Sequence, residues 1–178
     1  MKKYCIIFLT LVIITLTALG FSGVFPSAEV GVKQEYLRIH IRADSNDGSA
    51  QAVKYLVRDD VVDLLTPLVA EYETQEEAVE GVRAHLSQIA AVAARVLERN
   101  GFYYGATAEL TVESFPTRVY GEYTLPAGEY AALILRLGKG EGDNWWCVVY
   151  PPLCFVNSGT NYVYKSKILE IINNFFNK

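Results

Sequence analysis

The sequence predicts an α+β fold: an N-terminal strand, then two long helices packed on a mainly antiparallel sheet, all preceded by an N-terminal signal or anchor helix. Three observations predict it. Residues 36–42 alternate polar and apolar side chains, the period of a half-buried strand. Two later stretches carry apolar residues at helical spacing. From Thr107 onward the alternation returns, broken by Gly and Pro turn signals. A strand, two helices and a run of strands point to helices on one face of a sheet.

The first strand is Tyr36-Leu37-Arg38-Ile39-His40-Ile41-Arg42, with Leu37, Ile39 and Ile41 on one face. Asp44 to Ser49 reads as a turn rich in N-cap residues. Val53, Leu56, Val57, Val61, Leu64, Leu65 and Leu68 then mark a buried helical stripe, with Lys54, Arg58, Asp59 and Asp63 on the polar side. Pro67 should end or kink this helix near Thr66. Thr74-Gln75-Glu76-Glu77 is a capping box opening a second helix, whose stripe runs from Ala78 to Val96 and which stops at Asn100-Gly101. Thr107–Val112 is a strand. Residues 118–123 and 130–137 flank Leu125-Pro126-Ala127-Gly128 as a hairpin. Trp145–Tyr150 forms a further strand. Lys167 to Phe176 is amphipathic and predicts a short helix in the C-terminal tail.

Met1-Lys2-Lys3 precedes a charge-free run from Tyr4 to Ala28. Two lysines, an apolar stretch and small residues fit a secretory signal, and the stretch is also long enough to span a bilayer. Either way, residues from about 29 onward lie outside the cytoplasm. The chain thus divides into 1–28, signal peptide or membrane anchor; 29–156, the α+β domain; and 157–178, the tail. Hydrophobic residues are 51% and charged residues 20% of the 178, a globular composition. The net charge is −4, and removing Lys2 and Lys3 leaves the remainder more acidic still. Such a domain repels a phosphate backbone and an anionic bilayer.

No motif carries familiar chemistry. Gly138-Lys139-Gly140-Glu141-Gly142 lacks phosphate-loop spacing and reads as a flexible hairpin loop. His40 and His85 have no cysteine or carboxylate at zinc-ligand spacing and read as solvent-facing imidazoles. Asp44, Asp47, Asp59 and Asp60 match no calcium loop and suit turn, cap and surface roles. Neither a metal nor a cofactor is expected. Glu122 and Glu129 flank the hairpin as a candidate carboxylate pair. Cys147 and Cys154 flank Pro151-Pro152. In an exported domain they form either one disulfide or two buried thiols. Adjacent Trp145 and Trp146 on a strand must face opposite sides: one can be core, and the other faces solvent, a covering helix or a partner. With glycines at 138, 140 and 142 freeing the backbone, Glu129, Glu141, Asp143, Trp145 and Trp146 form a candidate partner-binding surface.

Several blocks resemble the stage II sporulation protein R family of endospore-forming bacteria. They are Leu37–Ser45, Val57-Arg58-Asp59-Asp60-Val61, Phe115–Gly121, Pro126-Ala127-Gly128-Glu129-Tyr130 and, most diagnostic, Gly140–Cys154 with its Trp145-Trp146-Cys147 and Tyr150-Pro151-Pro152-Leu153-Cys154. One departure is Ala43-Asp44-Ser45-Asn46, where the family usually has the acid and the amide exchanged. The resemblance implies a secreted, non-enzymatic signalling protein, made in the forespore and exported into the space between the two membranes. There it activates a membrane-embedded aspartic protease that processes the precursor of sigma factor E. An alternative of another class is an extracytoplasmic cell-wall hydrolase using Glu122 and Glu129. A third is a structural partner held in the membrane by an uncleaved N-terminal helix.

Overall fold

The computed structural model describes residues 35–155 and 162–177. The signal or anchor segment at 1–28 lies outside the described residues. The described elements follow the order β1 (Leu37–Arg42), α1 (Gly48–Val69), α2 (Gln75–Arg99), β2 (Ala106–Phe115), β3 (Arg118–Tyr120), β4 (Tyr123–Leu125), β5 (Gly128–Leu137), β6 (Asn144–Tyr150) and α3 (Tyr162–Phe176). This is an α+β architecture. No described helix is long and apolar enough to cross a membrane.

The four-stranded sheet has the order β2-β5-β1-β6. It is mixed, with two antiparallel pairings and one parallel. β1 runs parallel to β5, with His40 opposite Ile134, and antiparallel to β6, with Ile39 opposite Cys147. β2 and β5 are antiparallel. The one parallel pairing, which the sequence did not predict, arises because β1 does not pair with its neighbour in sequence. The two helices carry the chain away, and β1 is inserted between strands from the last third. The expected hairpin also differs. β3 and β4 form their own two-stranded ladder around Gly121, at φ +61°. That ladder is inserted at the end of the long β2–β5 hairpin, where Phe115 faces Gly128.

Burial explains these elements. Leu37, Ile39 and Ile41 of β1, Leu133, Leu135 and Leu137 of β5, and Cys147 and Val149 of β6 point into one core. Val53, Val57, Val61 and Leu65 of α1 and Ala78, Val82, Ile89 and Ala93 of α2 cover them, at the 3.6-residue period of helices lying on a sheet. Leu56 departs from the expected stripe and is 46% exposed, beside Tyr55 at 44%. Lys54 departs the other way and is buried. Pro67 sits in the last turn of α1, which persists to Val69. Thr74 caps α2 by accepting from the Glu77 N–H, while the Glu77 carboxylate accepts from the Glu73 N–H. The helix ends at Asn100 and at Gly101, whose φ of +81° suits glycine.

The C-terminal helix contributes to the same core. Ile168, Ile171 and Ile172 of α3 are buried there, and Phe176 stacks on Tyr123 with ring centroids 4.0 Å apart. The sheet's other face is also covered. Phe115, Tyr130, Ala132 and Ile134 form a second, smaller cluster, with Tyr36 and Trp146 packed against it.

Candidate docking surface

The loop between β5 and β6 is not a free hairpin. It crosses the end of β1 and is pinned there. The Gly142 N–H donates to the Ala43 carbonyl at 2.8 Å, and the Glu141 N–H to that of Asp44 at 3.3 Å. The Lys139 N–H donates to Asp44 Oδ1 at 2.8 Å, and the Asp143 N–H to Asn46 Oδ1 at 2.7 Å. A Cβ on Gly142 would stand 2.2 Å from the Ser45 carbonyl oxygen, so only glycine fits. Both Asp44 and Asn46 act as side-chain acceptors. An acid and an amide can each supply one, so exchanging the two residues would keep both acceptors. Lys54 completes the clamp. Its buried ammonium donates to the Asp143 carbonyl at 2.9 Å and to Gln51 Oε1 at 2.6 Å. Burial lowers its pKa, and the Asp143 carboxylate partly offsets this.

Trp145 and Trp146 face opposite sides of the sheet, as alternation requires. Trp145 packs on the helix side, with the Arg58 guanidinium 5.8 Å from its ring and a second ring, Tyr55, 5.0 Å from the same group. Trp146 packs on the other side against Phe115 and His40, at 4.9 and 4.6 Å between ring centroids, with Arg118 at 5.5 Å. Both indoles are half-buried.

The face bearing Trp146 holds polar groups that the sequence pattern placed in solvent. Arg38 and His40 are fully buried. The Arg38 guanidinium lies 4.2 Å from the Phe115 ring centroid and 4.8 Å from that of Tyr130, and donates to the Tyr120 hydroxyl at 2.9 Å. Its Nε and Nη1 have no hydrogen-bond partner. The Arg42 Nε donates to His40 Nε2 at 2.9 Å, so that nitrogen is an acceptor and the ring's proton is on Nδ1. Burial, then Arg42, Arg136 and Arg38, push the imidazole pKa down to about 3. Glu113 lies 3.5 Å from His40 Nε2, but its ion pair is with Arg42, because the imidazole is neutral. The register puts Glu113 opposite Tyr130 and Arg42 opposite Arg136. That offset is ~20 Å in a flat ladder, so contact requires β2 to coil across the face. His85, also expected in solvent, is half-buried and donates from Nδ1 to the Gly81 carbonyl at 2.7 Å.

The five expected surface residues therefore divide. Glu141 and Asp143 lie in the clamped loop, with Trp145 just beyond it on the helix side. Glu129 sits on the β2–β5 ladder opposite Ser114, and Trp146 is on the opposite face from Trp145. Glu122 is in the β3–β4 turn, on a different ladder from Glu129. The sequence reading missed Arg38, Phe115 and Arg118. Their signal was a strand whose non-core positions are all basic, in a chain whose β half is rich in aromatic residues. Cys147 and Cys154 are joined in a disulfide, with Cα atoms 6.2 Å apart. The turn between them is held by the Leu153 N–H donating to the Pro151 carbonyl at 2.8 Å. The Val148 N–H points outward to Cys154 Sγ at 3.4 Å, so the bridged segment lies along the outer edge of β6. Among the described residues no three His, Cys, Asp or Glu side chains gather to hold a metal. A groove between α3, the end of β6 and the turn before α2, lined by Glu73, Tyr150, Glu170 and Phe175, has a volume of about 490 Å³.

Asp44, Asn46, Gln51 and Lys54 are spent on holding the loop before β6 and the turn after β1 in place. This defines a class, an α+β domain that presents shaped surfaces. Within that class the chain belongs to the stage II sporulation protein R family, whose sequence model matches residues 33–160. The stage II sporulation protein R of Bacillus subtilis strain 168 is 38% identical over 128 residues, which is 72% of this chain. The matched stretch spans 57% of that relative's own length. No solved structure matches.

Proposed function

We propose that this protein is a non-enzymatic sporulation signal, exported from the forespore into the space between the two membranes. There it activates a membrane-embedded aspartic protease that processes the precursor of sigma factor E. The observation that carries this reading is the extent of the family match. It runs from just before β1 to just past the disulfide, so it takes in the whole sheet, the clamped loop and both tryptophans. The arrangement of the described residues is consistent with action by contact. Glu122 and Glu129 belong to separate ladders, and the cysteines are tied to each other. Protease and precursor are to be co-expressed in a heterologous membrane, with and without this chain. Precursor cleavage should appear only when all three are present. Cleavage that is indifferent to this chain, or cleavage by this chain with the protease inactivated, rejects the proposal.

A further inference from the structure

We propose that the sheet face opposite the helices docks an acidic peptide segment, with Arg118 and Trp146 as its contacts and the buried Arg38 as the source of its attraction. Four guanidiniums serve this face. Arg42 is paired with Glu113, and Arg136 with Glu109 at 2.5 Å. No carboxylate among the described residues pairs with Arg38 or Arg118. His40 is neutral and offsets nothing. In a protein of net charge −4, two cations beside one half-buried indole thus have no carboxylate partner among the described residues.

Arg38 is the unusual member. A fully buried guanidinium normally has an anion or a full set of acceptors. This one has three aromatic rings, the hydroxyls of Tyr120 and Tyr130, and two nitrogens, Nε and Nη1, without hydrogen-bond partners. Its field passes through low-dielectric side chains, Phe115 above all, and is screened less than that of a surface charge. Phe115 touches Trp146, and Arg118 lies over Trp146. A carboxylate meeting exposed Arg118 there gains a charge-assisted hydrogen bond and is drawn by Arg38 as well. Its neighbouring side chains find the indole, a common anchor of interfaces. Glu109 and Glu113 on the same face favour a short acidic peptide over a longer phosphate strand, whose charges would run over them.

The proposal rests on this chain acting by binding, but its test contains neither protease nor precursor, so each can fail alone. The full-length chain carrying Trp145→Phe leaves Trp146 as the sole tryptophan. Its fluorescence is followed during titration with end-blocked hexaglutamate, hexaglutamine or a hexathymidine oligonucleotide. A saturable change is expected with hexaglutamate, weakening with salt and at least tenfold weaker with hexaglutamine. Arg118→Gln and Arg38→Met, with unchanged circular dichroism, should each weaken it about tenfold. No response to hexaglutamate, equal response to hexaglutamine, or indifference to Arg118→Gln overturns the proposal. Equal binding of the oligonucleotide does so too, because the face would then select phosphates. Should Arg38→Met fail to fold, exposed Arg118→Gln decides alone.

Discussion

His40 is a histidine that folding keeps neutral. An ordinary imidazole titrates near 6.5, and this one is held at about 3. Below pH 6.5 the unfolded chain takes up a proton that the folded chain refuses, so this contribution is complete above 6.5 and is lost as the pH falls toward 3. Between pH 8 and pH 5 the loss should be about 2 kcal/mol. Urea unfolding of the wild type and of His40→Gln at both pH values measures it. The variant's stability should change less over that interval, by the same amount, and an identical pH dependence would refute the assignment. The strand's alternation was legible in the sequence, and Leu37, Ile39 and Ile41 were placed correctly. Alternation shows that two faces differ, however, not that the second is open. Arg38 and His40 are buried by Phe115, Tyr120 and Trp146, more than 70 residues away, and no local pattern reports that. Lys54 was misplaced for the same reason: its partner is the Asp143 carbonyl in a distant loop.

Helix positions and their stops were readable, because capping and 3.6-residue periodicity are local. The Thr74 cap and the Asn100-Gly101 stop lie where the sequence put them. Strand partners were not readable. The segments 118–123 and 130–137 looked like the two arms of one hairpin, yet β5 pairs with β2 and β1. The loop after β5 looked free, because glycines at 138, 140 and 142 suggest mobility, whereas Gly142 is a point of close packing. Gly142→Ala should cost about 1–3 kcal/mol, the range for overpacking against backbone that cannot yield. The double exchange Asp44→Asn with Asn46→Asp should stay within about 0.5 kcal/mol, since both acceptors survive. Denaturant midpoints of the two variants test the clamp. Similar losses in both would show that acceptor position does not govern it. The disulfide closes a short loop, with a sequence separation of 7. Replacing both cysteines by serine should therefore cost only ~2–3 kcal/mol. Unreduced protein that alkylates at both Cys147 and Cys154 in a mass spectrum contradicts the bridge.

For the chain in its cell, the charge-free run after Lys2 and Lys3 makes one demand. A periplasm-dependent reporter fused after Ala28 should be active, and activity of only a cytoplasmic reporter would end the signalling proposal. The topology adds a consequence of its own. β1 is made first and sits in the middle of the sheet, but its two neighbours begin at Gly128 and Asn144. Closing those contacts spans about a hundred residues, the kind of long-range pairing that forms late and slowly. Under the proposed export, the central strand crosses early and must wait until nearly everything else has followed. Truncation before β6 leaves that strand open along one edge and prone to pairing with other chains. Under the proposed export the completed sheet acts as a receipt: it can form only once the chain has crossed as far as Tyr150.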